Sequence, residues 1–151
     1  MKNRYFSVIL IVTLVLLGYS SFSQRRERVV IGNISNWKGY EKQEFKFDGR
    51  DAWFVKPRKA MAGNPWVWRA HFPTWHTDMD SILVSRGFHV AYINTNDLFG
   101  HPKAMQVWDA FYDYLVQDKQ FAPKVALEGV SRGGLYVYGW AKRNPDKVSC
   151  I

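Results

Sequence analysis

The sequence predicts an α/β domain, a mostly parallel sheet with helices on both faces, and three observations predict it. From Trp66 onward, short apolar runs alternate with segments of helical period, the pattern of strand-helix-strand units joined by right-handed crossovers. Each helical segment ends in a breaker: Gly87, then Phe121-Ala122-Pro123, then Asn144-Pro145-Asp146. Hydrophobic residues make up 47% of a 151-residue chain and aromatics 17%, which is enough for one packed core and excludes a disordered chain.

The first residues form a separate unit. Basic Lys2 and Arg4 precede an apolar run from Tyr5 to Leu17, followed by Gly18 and a small-residue segment in which Ser21-Phe22-Ser23 stands in an A-x-A-like position. This predicts a signal peptide over 1–23, cleaved before Gln24, and a mature piece over 24–151. The apolar run is shorter than the roughly 20 residues that span a bilayer, so no stable membrane anchor is expected after cleavage. The expected location is outside the cytoplasm, periplasmic or secreted.

The elements follow in order. Arg25 to Lys42 reads as a polar lead-in with one short strand at Val29 to Ile31. Glu44 to Phe47 and Ala52 to Val55 alternate on either side of Asp48-Gly49-Arg50-Asp51, a β-hairpin ended by Pro57. Trp66 to Ala70 is a strand, and Thr77 to Arg86 a helix with Met79, Ile82 and Leu83 on its apolar face. Phe88 to Ile93 is a strand. Pro102 opens a helix in which Met105, Trp108, Phe111 or Tyr112, and Leu115 recur at helical spacing. Lys124 to Glu128 is a strand, Gly133 to Arg143 a helix, and Val148 to Ile151 the start of another strand. No repeat or low-complexity segment interrupts this order.

Charge says little about partners. The formal net charge of +8 falls to +6 when residues 1–23 leave, because Lys2 and Arg4 go with them and no acid does. The remaining basic residues are scattered, apart from Arg25, Arg26 and Arg28 and from Lys56, Arg58 and Lys59, so they read as a solvated surface and no nucleic-acid partner is expected. Cys150 is the only cysteine, which excludes a Cys-rich zinc site and any disulfide within these residues. His71, His76, His89 and His101 show no HxH or HExxH spacing, so no metal site is expected.

Chemistry concentrates at the carboxyl ends of the parallel strands, where open α/β sheets place their ligands. Gly129-Val130-Ser131-Arg132-Gly133 matches G-x-S-x-G between an apolar strand and an amphipathic helix, the context in which that pattern forms a nucleophile elbow. Such a turn exposes the serine, requires glycines where strand and helix pass closely, and aims the helix N-terminus at the site. Ser131 is the candidate nucleophile and the Arg132 N–H the candidate first donor of an oxyanion hole. The second donor is expected in the loop after Ala70, from the backbone N–H of Ala70, His71 or Phe72. His71 is also a candidate for substrate contact, although a histidine among aromatics is commonly packed. Asp97 follows the strand ending at Ile93, where it either binds substrate or forms a turn or cap at the next helix. All four histidines precede Ser131, whereas elbow enzymes order their triad as serine, acid, histidine, so none is assigned as general base.

These residues resemble the α/β-hydrolase superfamily, in particular secreted bacterial serine esterases and the prolyl-oligopeptidase-like branch. The resemblance is carried by the hairpin over 44–55, by Pro65-Trp66-Val67-Trp68-Arg69-Ala70-His71-Phe72, by Arg86-Gly87-Phe88-His89-Val90 and by Glu128 to Gly134. It implies an α/β-hydrolase-type sheet, truncated after the nucleophile helix, and an acyl-enzyme reaction at Ser131 with no cofactor. The implied substrate is a small-molecule ester or acylated sugar. The family's acid and histidine lie on loops after later strands, so 24–151 is expected to be the amino-terminal portion of such a domain and inactive by itself. A serine peptidase differs only in its acyl substrate. A non-catalytic binding member of the fold is the other alternative, its ligand held by Phe72, Trp75 and Phe99.

Overall fold

The computed structural model describes residues 28–151; the predicted signal peptide lies outside them. Seven strands and three helices are present among the described residues: β1 (Val29–Trp37), β2 (Tyr40–Phe47), β3 (Arg50–Lys56), β4 (Trp66–Ala70), α1 (Asp78–Ser85), β5 (His89–Ile93), α2 (Pro102–Gln117), β6 (Val125–Gly129), α3 (Gly133–Arg143) and β7 (Val148–Cys150). Single 3-10 turns occupy Asn96–Leu98 and Pro145–Lys147. All strands join one mixed sheet in the order β1-β2-β3-β5-β4-β6-β7.

The amino-terminal half is a meander, which corrects the polar lead-in expected over residues 25–42. Two tight turns make it. Lys38-Gly39 and Asp48-Gly49 all have positive φ, the backbone that matches a two-residue hairpin turn to the twist of its strands. Trp37 therefore pairs with Tyr40 and Phe47 with Arg50. β1 escapes an alternation reading because it is an edge strand with exposed Val30 and Ile34 and an irregular register between Ile31 and Ile34. Its backbone pairing makes it a strand, with only Val29 and Trp37 packed on the cores at its two ends.

Two-residue turns join only antiparallel strands, so the meander also corrects the expectation of a mostly parallel sheet. The β1-β2, β2-β3 and β3-β5 pairs are antiparallel, and the β4-β5, β4-β6 and β6-β7 pairs are parallel. Within the parallel part each successive strand is reached through a helix: α1 from β4 to β5, α2 from β5 to β6, and α3 from β6 to β7.

Helices cover both faces. On one side Trp66 and Trp68 of β4, Phe54 of β3 and Leu127 of β6 pack with Trp108, Phe111 and Leu115 of α2 and Val137 and Trp140 of α3. Trp68 stacks on Trp108 with centroids 4.1 Å apart and meets Trp140 edge-on at 5.3 Å. On the other side Trp53, Val55, Val67, Val90 and Tyr92 form a smaller core with Val84 of α1. The expected apolar face of α2 is the buried one. That of α1 is only partly so: Leu83 packs against the smaller core, but Met79 and Ile82 are exposed, and Asp80 and Val84 are buried. The reason lies in β4, where Arg69 is 1% exposed and draws Asp80 inward as its counter-ion.

Candidate active site

β6 lies beside β4, with Gly129 opposite Ala70, and then reverses into α3 within three residues. The reversal places Ser131 at φ +50, left-handed backbone that a residue with a side chain adopts at a cost of about 1–3 kcal/mol. The turn is held by bonds from Gly133 N–H to the Val130 carbonyl (2.8 Å), Gly134 N–H to Ser131 (3.0 Å) and Leu135 N–H to Arg132 (3.1 Å). The Arg132 N–H stands outside this ladder, among the orphan donors of a helix N-terminus.

Both flanking glycines are required sterically. A Cβ on Gly129 would stand 2.7 Å from Val137 Cγ2, and one on Gly133 would stand 2.4 Å from the Ala70 carbonyl oxygen. The second approach brings the serine turn directly against the end of β4. Ser131 and Arg132 are both exposed there, on a shallow surface shared with Gly134, Leu135 and Tyr138. The Arg132 guanidinium lies over the Phe72 ring at 5.8 Å and the Phe99 ring at 6.0 Å, so the turns after β4, β5 and β6 converge.

The loop after β4 is unusual in its backbone. His71 and Phe72 have φ +61 and +42, two consecutive left-handed residues with side chains, and His76 adds a third at +50. The His71 ring is buried, edge-on to Phe72 at 4.1 Å and stacked on Tyr136 at 6.4 Å. Its Nδ1 lies 2.5 Å from Asn96 Oδ1. An amide oxygen only accepts, so Nδ1 carries the proton, and the buried Nε2 has no partner among the described residues.

Arg69 organises this loop from beneath. Its Nε donates to the Phe72 carbonyl (3.0 Å) and its Nη2 to the Trp75 carbonyl, while Nη1 reaches Asp80 Oδ2 (2.5 Å) and Glu128 Oε1 (2.7 Å). Burial, and then the neighbouring Asp80 carboxylate, push the Glu128 carboxyl up to about 7, with Arg69 opposing. Sequence reasoning missed all three residues, reading Arg69 and Glu128 only as strand positions and Asp80 only as part of a helix. The signal was there: each strand is otherwise apolar, and a charge inside such a run needs a buried partner.

Asp97 stands elsewhere. It sits in the 3-10 turn after β5 and pairs with Arg50 of the meander through two bonds of 2.8 and 3.3 Å; this partner holds its carboxyl below the ordinary range. The cap of α2 comes instead from His101, whose Nδ1 accepts from the Lys103 N–H at 3.1 Å. His89 lies within β5 against Phe121, its pKa lowered by burial, and His76 packs on Trp75. No histidine hydrogen-bonds Ser131 among the described residues. Nor do they contain a group of three or more His, Cys, Asp or Glu that could hold a metal ion. No described helix is long and apolar enough to cross a membrane.

No protein-family model matches the chain, and no curated protein sequence matches it. Among solved structures it is similar to the zinc-bound structure of a cold-adapted esterase from an Arctic intertidal metagenomic library, with a TM-score of 0.56 and 16% identity. The match covers 76% of this chain and 58% of that one, so the chain spans little more than half of that esterase's length. At this identity the likeness is one of fold, and it supports a hydrolase-like α/β architecture.

Proposed function

We propose that the chain carries the nucleophile of a serine hydrolase of α/β-hydrolase type, acting on a small-molecule ester. One observation carries the proposal: Ser131 is held in left-handed backbone on a strand-to-helix turn whose two glycines cannot be replaced without collision. A polar residue kept in a costly conformation and exposed at a helix N-terminus is the arrangement an activated serine needs. The esterase fold likeness supports the same reading.

In this reading Ser131 Oγ attacks the ester carbonyl carbon, and its proton passes to a histidine and then to the leaving alcohol. The carbonyl oxygen becomes an oxyanion stabilised by the Arg132 N–H and by an N–H from the His71-Phe72 turn, which the Gly133–Ala70 approach sets beside the serine. Water then releases the acid from the acyl-enzyme. The reading requires an acid and a histidine following Ser131 in chain order. The exposed Phe99, Leu135 and Tyr138 around the serine suit an apolar acyl or alcohol group. The proposed setting is extracytoplasmic, from the amino-terminal signal.

The test uses the intact gene product and its Ser131→Ala variant with a fluorophosphonate probe and a p-nitrophenyl ester. Labelling at Ser131, with hydrolysis falling about 10³-fold or more in the variant, is the expected result. A folded wild-type protein that takes no label would leave a binding member of the fold.

A further inference from the structure

We propose that Arg69, held by Asp80 and Glu128, is a positioning residue of this site: by binding the Phe72 and Trp75 carbonyls it sets the left-handed turn at His71 and Phe72, and it ties that turn to the strand leading to Ser131. The functional part of the proposal rests on the serine-hydrolase reading. Its structural part rests on four groups meeting at one guanidinium.

A buried cation is a poor way to fill space. Taking a guanidinium and two carboxylates out of water costs more than burying apolar groups of the same volume, and such clusters are commonly replaceable by hydrophobic residues with no loss of stability. What an apolar side chain cannot do is bind carbonyls. The segment between β4 and α1 contains three left-handed residues with side chains, and its one internal backbone bond, from Trp75 N–H to the Phe72 carbonyl, is long at 3.3 Å. Left to itself, such a segment would relax to commoner backbone conformations. Arg69 supplies a partner for the Trp75 carbonyl and a second, shorter one for the Phe72 carbonyl, from a fixed position within the sheet.

The anchor has two ends. Asp80 belongs to α1, which the loop leads into, and Glu128 immediately precedes Gly129 of the serine turn. One guanidinium thus joins the loop, the helix after it and the elbow strand, and fixes the Phe72 N–H relative to Arg132. The planar fork of arginine, with donors on three nitrogens, suits this; the single ammonium of lysine does not.

The experiment compares the intact wild-type gene product with Arg69→Lys, Glu128→Gln and the apolar triple variant Arg69→Met/Asp80→Leu/Glu128→Leu. Amide hydrogen exchange is followed in residues 71–76 and in β5, together with the rate of fluorophosphonate labelling at Ser131. Arg69→Lys and the triple variant are expected to speed loop exchange at least about tenfold more than β5 exchange, and to slow labelling about tenfold or more. Glu128→Gln, which keeps an acceptor for Arg69 but not the charge, is expected to speed loop exchange and slow labelling by less than Arg69→Lys does. The triple variant keeps the comparison alive if Arg69→Lys does not fold, because its core carries no unpaired charge. Loop and β5 exchange rising together, or a loosened loop with unchanged labelling, would overturn the proposal. Absence of label on wild type would instead overturn the hydrolase reading and with it the oxyanion role, while the exchange data still decide whether Arg69 orders the loop.

Discussion

At the scale of single residues, the site is built from groups in costly states. Ser131 at φ +50 stores strain that a glycine would not, so Ser131→Gly is expected to raise the unfolding free energy by about 1 kcal/mol while abolishing labelling. A thermal melt checks this; a lowered Tm would mean the serine side chain is held by stabilising contacts instead of strain. Gly133→Ala should act oppositely, since its methyl would enter the space of the Ala70 carbonyl at 2.4 Å; a loss of about 1–3 kcal/mol is expected by denaturant unfolding. Glu128 sets a pH dependence. Its carboxyl rises from an ordinary 4.5 to about 7 on folding, so the folded state binds more protons than the unfolded one between those values. Its contribution is therefore fully present below 4.5 and lost as pH rises toward 7. Wild type should lose stability relative to Glu128→Gln between pH 4.5 and 7, and parallel melting curves across that range would refute the shift.

At the scale of elements, β4 does most of the positioning. Its five residues are all buried and alternate between two cores, with Trp66 and Trp68 facing α2 and α3 and Val67 facing the α1 side. Arg69 and Ala70 then deliver the loop. Trp68→Ala would empty the space between Trp108 and Trp140 and is expected to cost about 3–5 kcal/mol in chemical denaturation. The helices differ in how well their faces could be read. α2 buries the residues its period predicts, because aliphatic and aromatic side chains dominate its inward face. α1 does so only in part, because a buried cation outranks two apolar side chains in choosing which face turns inward.

At the scale of the whole molecule, the sheet is two structures joined at β3 and β5. The antiparallel part closes through turns of two residues, whereas the parallel part closes through helices and places the ends of β4, β5 and β6 together. Protection against hydrogen exchange should follow this division. β4, with strands on both sides and helices on both faces, is expected to exchange slowest, and β1, an edge with exposed Val30 and Ile34, fastest. Exchange in β1 as slow as in β4 would indicate that another surface covers that edge. The converging aromatics Phe72 and Phe99 around Arg132 belong to the same architecture, since each comes from a different loop at one sheet edge.

The sequence by itself determined the parallel half: β4, α2, α3 and the serine turn are local patterns, set by apolar period, breakers and paired glycines. It also determined that Ser131, Arg132 and the His71-Phe72 loop share an edge, since strand ends in such a sheet do. The β2-β3 hairpin, read from alternation on either side of Asp48-Gly49, and a short strand at Val29 to Ile31 were legible too. The tertiary structure decided the rest. β1 runs on to Trp37 because β2 offers it a backbone to pair with, which no side-chain period records. Asp97 went to Arg50, and Asp80 and Glu128 to Arg69, across 47, 11 and 59 residues of chain. A charge chooses its partner by distance in space after burial has raised the cost of remaining alone, and that distance exists only once the sheet has formed.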